Sequence, residues 1–301
     1  MVRGDRRIID AHFHLWNLDE NYYPWLADES RPSLVQGRGA LRRNYLVADY
    51  LRDVGRLNVV AGVHIQAEHD HRDPVRETRW LQNTAAQPGG RGFPQAIVAD
   101  ADFASPDVEQ VLEGHASFPN TRGIRHALHR RLDAPEPYDP LEDPAWLRRF
   151  PLLARYGLSF DLQLFPRQAP AALELVGRNP DVQFVLTHAA MPFQRDSDHA
   201  ALWSRSIRAY AEYPNVAIKI SGFGGFDAHW DAQSIDPIVT QVVEAFTPCR
   251  CMLASNFPVE GLVKPYRDIW NVFFEYFASY SEPEQEQLFW RNAARIYRIA
   301  A

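Results

Sequence analysis

Short runs rich in Val, Ile, Leu and Phe alternate along this chain with longer stretches of helical periodicity, the pattern of repeated βα units around a parallel sheet. Eight such runs stand at 8–14, 57–66, 94–100, 121–127, 157–164, 181–188, 214–221 and 250–256, and eight parallel strands close a barrel. Helices are predicted between them at 47–57, 74–87, 106–117, 143–156, 168–179, 197–213 and 233–246. Several open at an acidic or Ser N-cap followed by Pro, as in Asp73-Pro74, Ser105-Pro106 and Asp143-Pro144. Beyond the eighth strand, 265–279 and 282–299 read as a closing helix and a C-terminal helix. No composition shift, flexible linker or further repeat cuts the chain, so 1–301 is read as one α/β domain. The first connection, 15–45, is rich in Trp, Tyr, Pro and Gly and too long for a βα turn of ~2–6 residues, which suggests a lid.

Alternate side chains of a strand point to opposite faces. In the first strand Ile8, Asp10, His12 and His14 share one face and Ile9, Ala11 and Phe13 the other. The second sets Val60, Gly62, His64, Gln66 and Glu68 against Val59, Ala61, Val63, Ile65 and Ala67; the fifth sets Ser159, Asp161 and Gln163 against Leu158, Phe160, Leu162 and Leu164. In the seventh, Lys219 and Ser221 oppose Val216, Ile218 and Ile220. This predicts an apolar face under helices and a polar face turned into the barrel. The C-terminal strand ends then gather His12, His14, Gln66, Glu68, Arg125, Gln163, His188, Lys219 and Asn256, at the end where barrel enzymes place their chemistry.

Composition narrows the function. The 301 residues carry a formal charge of −6, with 46% hydrophobic and 23% charged positions, as in an ordinary soluble globular protein. No basic face points to nucleic acid, no signal peptide is visible, and no apolar run is long enough to cross a membrane. Cys249 and Cys251, one residue apart, are in poor geometry to bridge each other and read as core residues of the eighth strand. The reading is a cytoplasmic protein with a small-molecule substrate, neither a nucleic-acid nor a membrane partner, and an open question of homo-oligomerisation.

His12 and His14, spaced His-x-His, point the same way, and His188 projects into the same mouth. Three neutral imidazoles suit a divalent ion such as Zn or Mn, which activates bound water; without metal they can stabilise an oxyanion by hydrogen bonds.

The ordered set Asp10-Ala-His12-Phe-His14-Leu-Trp16, Tyr23-Pro-Trp25-Leu, Gly123-Ile-Arg125, Phe160-Asp161-Leu, Leu186-Thr-His188-Ala, Asn215-Val-Ala-Ile-Lys219-Ile-Ser-Gly222, Ser255-Asn256-Phe-Pro258-Val and Asn292-Ala-Ala-Arg-Ile-Tyr297-Arg resembles the amidohydrolase superfamily. The nearest likeness is to its amidohydrolase-2 branch of sugar-acid and pyrone lactonases, the L-fuconolactonase and L-rhamnonolactonase-like proteins. The resemblance spans the chain. It implies a distorted (β/α)8 TIM barrel, a metal-dependent hydrolase or a metal-independent relative, and a site of His12, His14, His188 and the residue ending strand eight. There the family places an Asp that acts as general base, and this chain has Asn256, which can position a water but cannot take its proton. A carboxylated lysine at strand four is also absent, since that strand offers Arg125 and His126.

Glu68 is the best-placed substitute base, its alternative being a loop carboxylate paired with Arg72 or Arg76. Arg125 and Lys219, buried by this reading, need an anion, either internal (Asp161 or Glu68) or a substrate carboxylate. Gln66, Arg125, Gln163, Lys219, Trp16 and Trp25 are the candidate substrate contacts, Trp16, Tyr22, Tyr23 and Trp25 either stacking on a ring or packing the first loop onto the barrel. Asp10 is assigned to orienting a neighbour beneath the site, Glu77 to the surface or a cap, and His69, His71, His126 and His129 to exposed or satisfied positions. The expected activity is hydrolysis of a small cyclic ester, a sugar-acid lactone or an aromatic-breakdown intermediate. The alternatives are a metal-dependent decarboxylase of an aromatic acid and a barrel that binds a ligand without turnover.

Overall fold

The computed structural model describes residues 6–28, 35–128, 138–192 and 196–300; His129 lies outside them. Eight parallel strands form one sheet in sequential order, β1 (Ile8–Phe13), β2 (Val59–Ile65), β3 (Ala96–Ala99), β4 (Thr121–Ile124), β5 (Ser159–Leu162), β6 (Phe184–Leu186), β7 (Val216–Ile220) and β8 (Cys251–Leu253). Each falls inside a predicted run. The ring closes by a parallel bridge between Phe13 and Phe257 and by backbone bonds from Asn256 N to His12 O and from His14 N to Phe257 O, both 2.8 Å. The fold is a (β/α)8 barrel whose β1–β8 seam carries three candidate site residues, His12, His14 and Asn256.

The helices between strands match the periodic segments with physical exceptions. The segment predicted as one helix at 143–156 is two, Pro144–Arg149 and Leu152–Tyr156, because Pro151 supplies no N–H to continue the ladder. Asp143 starts the first by accepting from Ala145 N and Trp146 N. The C-terminal segment is interrupted by a π-turn at Gln287–Arg291 before Asn292–Ile296.

Two apolar layers result. Ile8, Phe13, Val59, Ile97, Phe160, Leu162, Phe184, Ile218 and Leu253 face outward beneath the helices. Ile9, Ala11, Ala61, Val63, Ile65, Ala96, Val98, Val185, Ala217, Met252 and Ala254 fill the barrel, plugged by Ala293, Ile296, Tyr297 and Ile299 of the C-terminal segment. The predicted parity therefore holds on β5 and β7 and fails on β2, where the apolar set Ala61, Val63 and Ile65 faces in and His64 packs edge-on against Phe13. On β1 it fails halfway. Asp10 pairs with Gly62 and Phe13 with His64, three residues of β1 advancing against two of β2. This extra residue reverses the faces, so Asp10 points out toward Tyr50 and Tyr266 while His12 and His14 turn to the mouth.

The first connection packs down rather than standing free. Trp16 and Tyr45 exchange backbone bonds at 3.0 Å, Trp16 Nε1 donates to Arg43 O, and Trp25 Nε1 donates to Ala67 O, each at 2.7 Å. Cys251 is buried in β8, but Cys249 is exposed in the turn Pro248–Arg250 that precedes it, so it is not the core residue expected.

Candidate active site

His12 and His14 enter the mouth from the seam. Their Nε2 atoms face each other at 3.2 Å. His14 Nδ1 lies 2.7 Å from the Ile65 carbonyl, which can only accept, so Nδ1 carries the hydrogen and Nε2 is a bare lone pair. His12 Nδ1 is buried with no partner. Burial holds both imidazoles well below the usual histidine range; the charges of Lys219, His188, His14 and Arg125 add to this at His12, and those of Arg125, His64 and His188 at His14, where the Ile65 bond opposes them. Both are neutral at pH 7.

His188 arrives by a different device. Beyond β6 the four residues His188, Ala189, Ala190 and Met191 all take positive φ, from 50° to 56°. This left-handed turn brings the His188 ring to 4.6 Å from that of His12, and its Nδ1 to 3.0 Å from Ser221 Oγ of the residue after β7. Gly222 at φ +74° permits the approach, since a Cβ there would stand 2.5 Å from His188 Nδ1. Trp203 Nε1 donates to Ala189 O at 2.7 Å and anchors the turn.

Asn256, at φ 54°, follows the same pattern after β8. Its neighbour Ser255 donates through N and Oγ to Asp10, at 2.9 and 2.6 Å, and Tyr50 and Tyr266 each donate to Asp10 at 3.1 Å. Asp10 thus ties the two sides of the seam beneath His12 and Asn256. Burial raises its carboxyl, against the lowering by these donors.

Arg125 ends β4 and is nearly buried. It donates to Gln163 Oε1 at 2.8 Å and to Gln66 O at 2.6 Å, and stands 3.8 Å from Glu68 Oε1. Glu68, at φ 61°, accepts from Gln66 Nε2 at 3.1 Å. Its expected alternative partners are engaged elsewhere: Arg72 clasps Asp70, and Arg76 reaches Asn21 and Glu20 O. Lys219 lies below this layer. It donates to Asp161 at 2.6 Å, Tyr297 OH donates to both Asp161 oxygens at 3.0 Å, and both charged residues are 0% exposed. Its anion is therefore internal. Trp16 and Trp25 are buried with their ring N–H groups on backbone carbonyls, so their contribution to the mouth is packing of the loop.

Four groups were not foreseen. Glu77 is not a surface residue but buried, accepting from Ala67 N at 3.0 Å, and burial pushes its carboxyl up to about 8. Asp100 accepts from His71 at 2.8 Å and His126 at 3.2 Å; burial would raise its carboxyl, and these two bonds outweigh it and hold it low. Glu260, four residues beyond Asn256, is buried, its carboxylate accepting from Gly224 N at 2.7 Å and its backbone N–H donating to Asn256 O at 3.0 Å. The i, i+4 spacing was the available signal, and the Ser255–Val259 motif stops one residue short of it. His64, neutral because burial depresses it to about 3, donates through Nε2 to Leu15 O at 3.2 Å and supports the first loop.

The donor chemistry fits a divalent ion as a two-nitrogen set. Nitrogens ~2.0–2.1 Å from one tetrahedral ion stand roughly 3.3 Å apart, close to the separation of His12 and His14. Among the described residues no group of three His, Cys, Asp or Glu side chains is placed to hold a metal.

Against known proteins, residues 9–299 match the amidohydrolase family model. The chain belongs to the amidohydrolase family. Among its relatives, an uncharacterised protein of Sinorhizobium fredii is 42% identical over 98% of this chain and 100% of its own length. An L-fucono-1,5-lactonase of Burkholderia ambifaria is 28% identical over 97% of this chain and 95% of its own. An amidohydrolase of Burkholderia multivorans, solved with bound HEPES and also with bound Zn, superposes with a TM-score of 0.80 at 26% identity, covering 98% of this chain and 100% of that one. This amidohydrolase is a hydrolase, and none of the helices described is long and apolar enough to cross a membrane.

Proposed function

We propose that this amidohydrolase hydrolyses the lactone of a small sugar acid. The observation that carries the reading is the meeting of three imidazoles at the barrel mouth, His12 and His14 with Nε2 atoms 3.2 Å apart and His188 with its ring 4.6 Å from that of His12. The likeness to L-fucono-1,5-lactonases over nearly the whole chain supports the substrate class. Water attacks the ester carbonyl carbon, the oxyanion is met by the His188 imidazole in the positive field of Arg125, and the ring C–O bond breaks to give a hydroxy acid. Glu68, the carboxylate beside Arg125, takes the proton of the attacking water and returns it to the leaving ring oxygen. Asn256 orients that water. A divalent ion held by His12 and His14, when bound, supplies Lewis-acid polarisation of the same carbonyl.

Proton release from a panel of 1,4- and 1,5-lactones of sugar acids, followed by pH-stat with the purified protein, tests the reading. Turnover of at least one lactone above the uncatalysed rate is expected. No turnover of any of them, with and without added Zn or Mn, would sink it.

A further inference from the structure

A polar cavity of about 410 Å3 is lined in part by Gln82, Gln95, Asn120, Arg122 and Arg298. Gln95 and Asn120 stand just before β3 and β4, and Arg122 is the second residue of β4, so the cavity lies at the N-terminal end of the barrel, opposite the mouth. Its wall offers donors. The carboxamide oxygens of Gln82 and Gln95 are already taken, by Asn120 N at 3.0 Å and Gly62 N at 2.9 Å. Arg122 Nη1 donates to Pro119 O and, at 2.9 Å, to Thr121 O, while its Nε is buried with no partner. Arg298 Nη2 donates to Arg122 O at 3.2 Å, which sets the second guanidinium beside the first residue. Among the described residues no Asp or Glu lines the cavity. Other arginines at this end do have a carboxylate, Arg6 with Glu282 at 3.2 Å and Arg291 with Glu286 at 2.9 Å. The backbone of Arg298 is a second, separate observation. It closes the helix Asn292–Ile296 at φ 51°, with its N–H on Arg295 O at 3.4 Å and Ile299 N–H on Ala294 O at 2.9 Å. Glycine is the favoured residue in such a left-handed closing turn, because a Cβ is strained there. An arginine accepts strain that glycine avoids, and its side chain is what glycine lacks.

We propose that the Arg122–Arg298 cavity is a binding site for a small dianionic oxyanion, a phosphate or a dicarboxylate, that bridges the two guanidinium groups. Each guanidinium presents a planar fork of N–H donors that matches the oxygens of such an anion. Gln82, its oxygen already bonded, has only the donor Nε2 to add. The anion joins the start of β4 to the turn after the helix Asn292–Ile296, and Ile296, Tyr297 and Ile299 around that turn plug the barrel. The site is therefore a clamp on the plug and not a part of the reaction. It lies at the far end of the barrel from His12, His14 and His188, and it stands whether or not the lactonase reading does.

Calorimetric titration of the full chain with sodium phosphate and, separately, sodium malonate, each against sodium chloride at matched ionic strength, tests the proposal. Saturable binding with a Kd of about 1 mM or tighter is expected for at least one of the two, with a rise in Tm that follows the same concentration dependence. The tighter of the pair says whether the site is built for phosphate or for a dicarboxylate. Arg298→Gly puts the favoured residue in the left-handed turn, so the variant keeps its fold, and it should weaken binding about tenfold or more, as the loss of a charge-assisted donor does. Arg122→Gln should do the same from the other side. Arg291→Met removes an arginine that already has its carboxylate and should leave Kd within about twofold. No saturable binding beyond that of chloride, or binding unchanged in Arg298→Gly, overturns the proposal. So does an equal loss in Arg291→Met, which would mean a diffuse basic surface in place of a site.

Discussion

The barrel buries two carboxyl groups in opposite ways. Asp161, in the lower interior, has the Lys219 ammonium at 2.6 Å and the Tyr297 hydroxyl at 3.0 Å, a full countercharge plus a donor. Glu260, at the rim, has the neutral Gly224 N–H as its direct donor, and burial pushes its carboxyl up to about 7. The first is a finished pair that ties β5 to β7 and to the C-terminal plug. The second keeps its proton within reach of neutral pH, and it touches the residue that departs from the family pattern. Burial alone thus does not mark a working group.

Removing one side of the finished pair should have the largest effect on the fold. Lys219→Met leaves Asp161 as an uncompensated buried anion and should cost about 3–5 kcal/mol of unfolding free energy, read by urea denaturation, with much of it recovered in Lys219→Met/Asp161→Leu. A loss under ~1 kcal/mol would mean that the pair is not the anchor described.

Glu77 sharpens the other side of the comparison, because its carboxylate accepts from a neutral backbone N–H, that of Ala67, and burial raises its carboxyl to about 8 from an unfolded value of 4.5. The folded state holds this proton more tightly, so the stability it contributes is complete below pH 4.5 and is lost as pH rises through about 8. Glu77→Gln keeps an acceptor for Ala67 N and should gain on the unmodified protein by on the order of 2 kcal/mol between pH 5 and pH 9. A difference that does not change with pH would show that Glu77 is ionised throughout. At the small end stands the exposed pair Arg155–Glu109, at 2.7 Å as close as the buried ones. Arg155→Ala should change stability by less than about 1 kcal/mol in the same assay, and a larger loss would break the rule that solvent screening, not distance, separates these pairs.

The sequence carried the architecture because most strand runs are rich in Val, Ile, Leu or Phe and two of the helices between open at Asp73-Pro74 and Asp143-Pro144, whereas Ser105-Pro106 precedes a helix that starts only at Val108. It also carried His12, His14, His188, Arg125 and Asn256 as residues ending strands. It could not carry the faces of β1, because a bulge of one residue between Asp10 and Phe13 reverses parity without any change in composition. Nor could it show that Lys219 sits below the mouth, since the ladder of inward positions on β7 says which face a residue takes and not at what depth its partner lies. His188 reaches the site through four left-handed residues, none of them glycine, and no local pattern forecasts such a run. Glu260 lay one residue past a motif, visible only once the turn after Asn256 was seen to close on itself.

The central claim is that the imidazole cluster polarises a lactone carbonyl, and His188→Ala against the unmodified protein measures it most directly, by initial rates of proton release from whichever sugar-acid lactone is turned over. The account predicts a fall in kcat/KM of about 10²–10³ with thermal stability nearly unchanged, the loss expected for one preorganised group at a developing oxyanion. A variant that retains more than about a third of the original kcat/KM would contradict it.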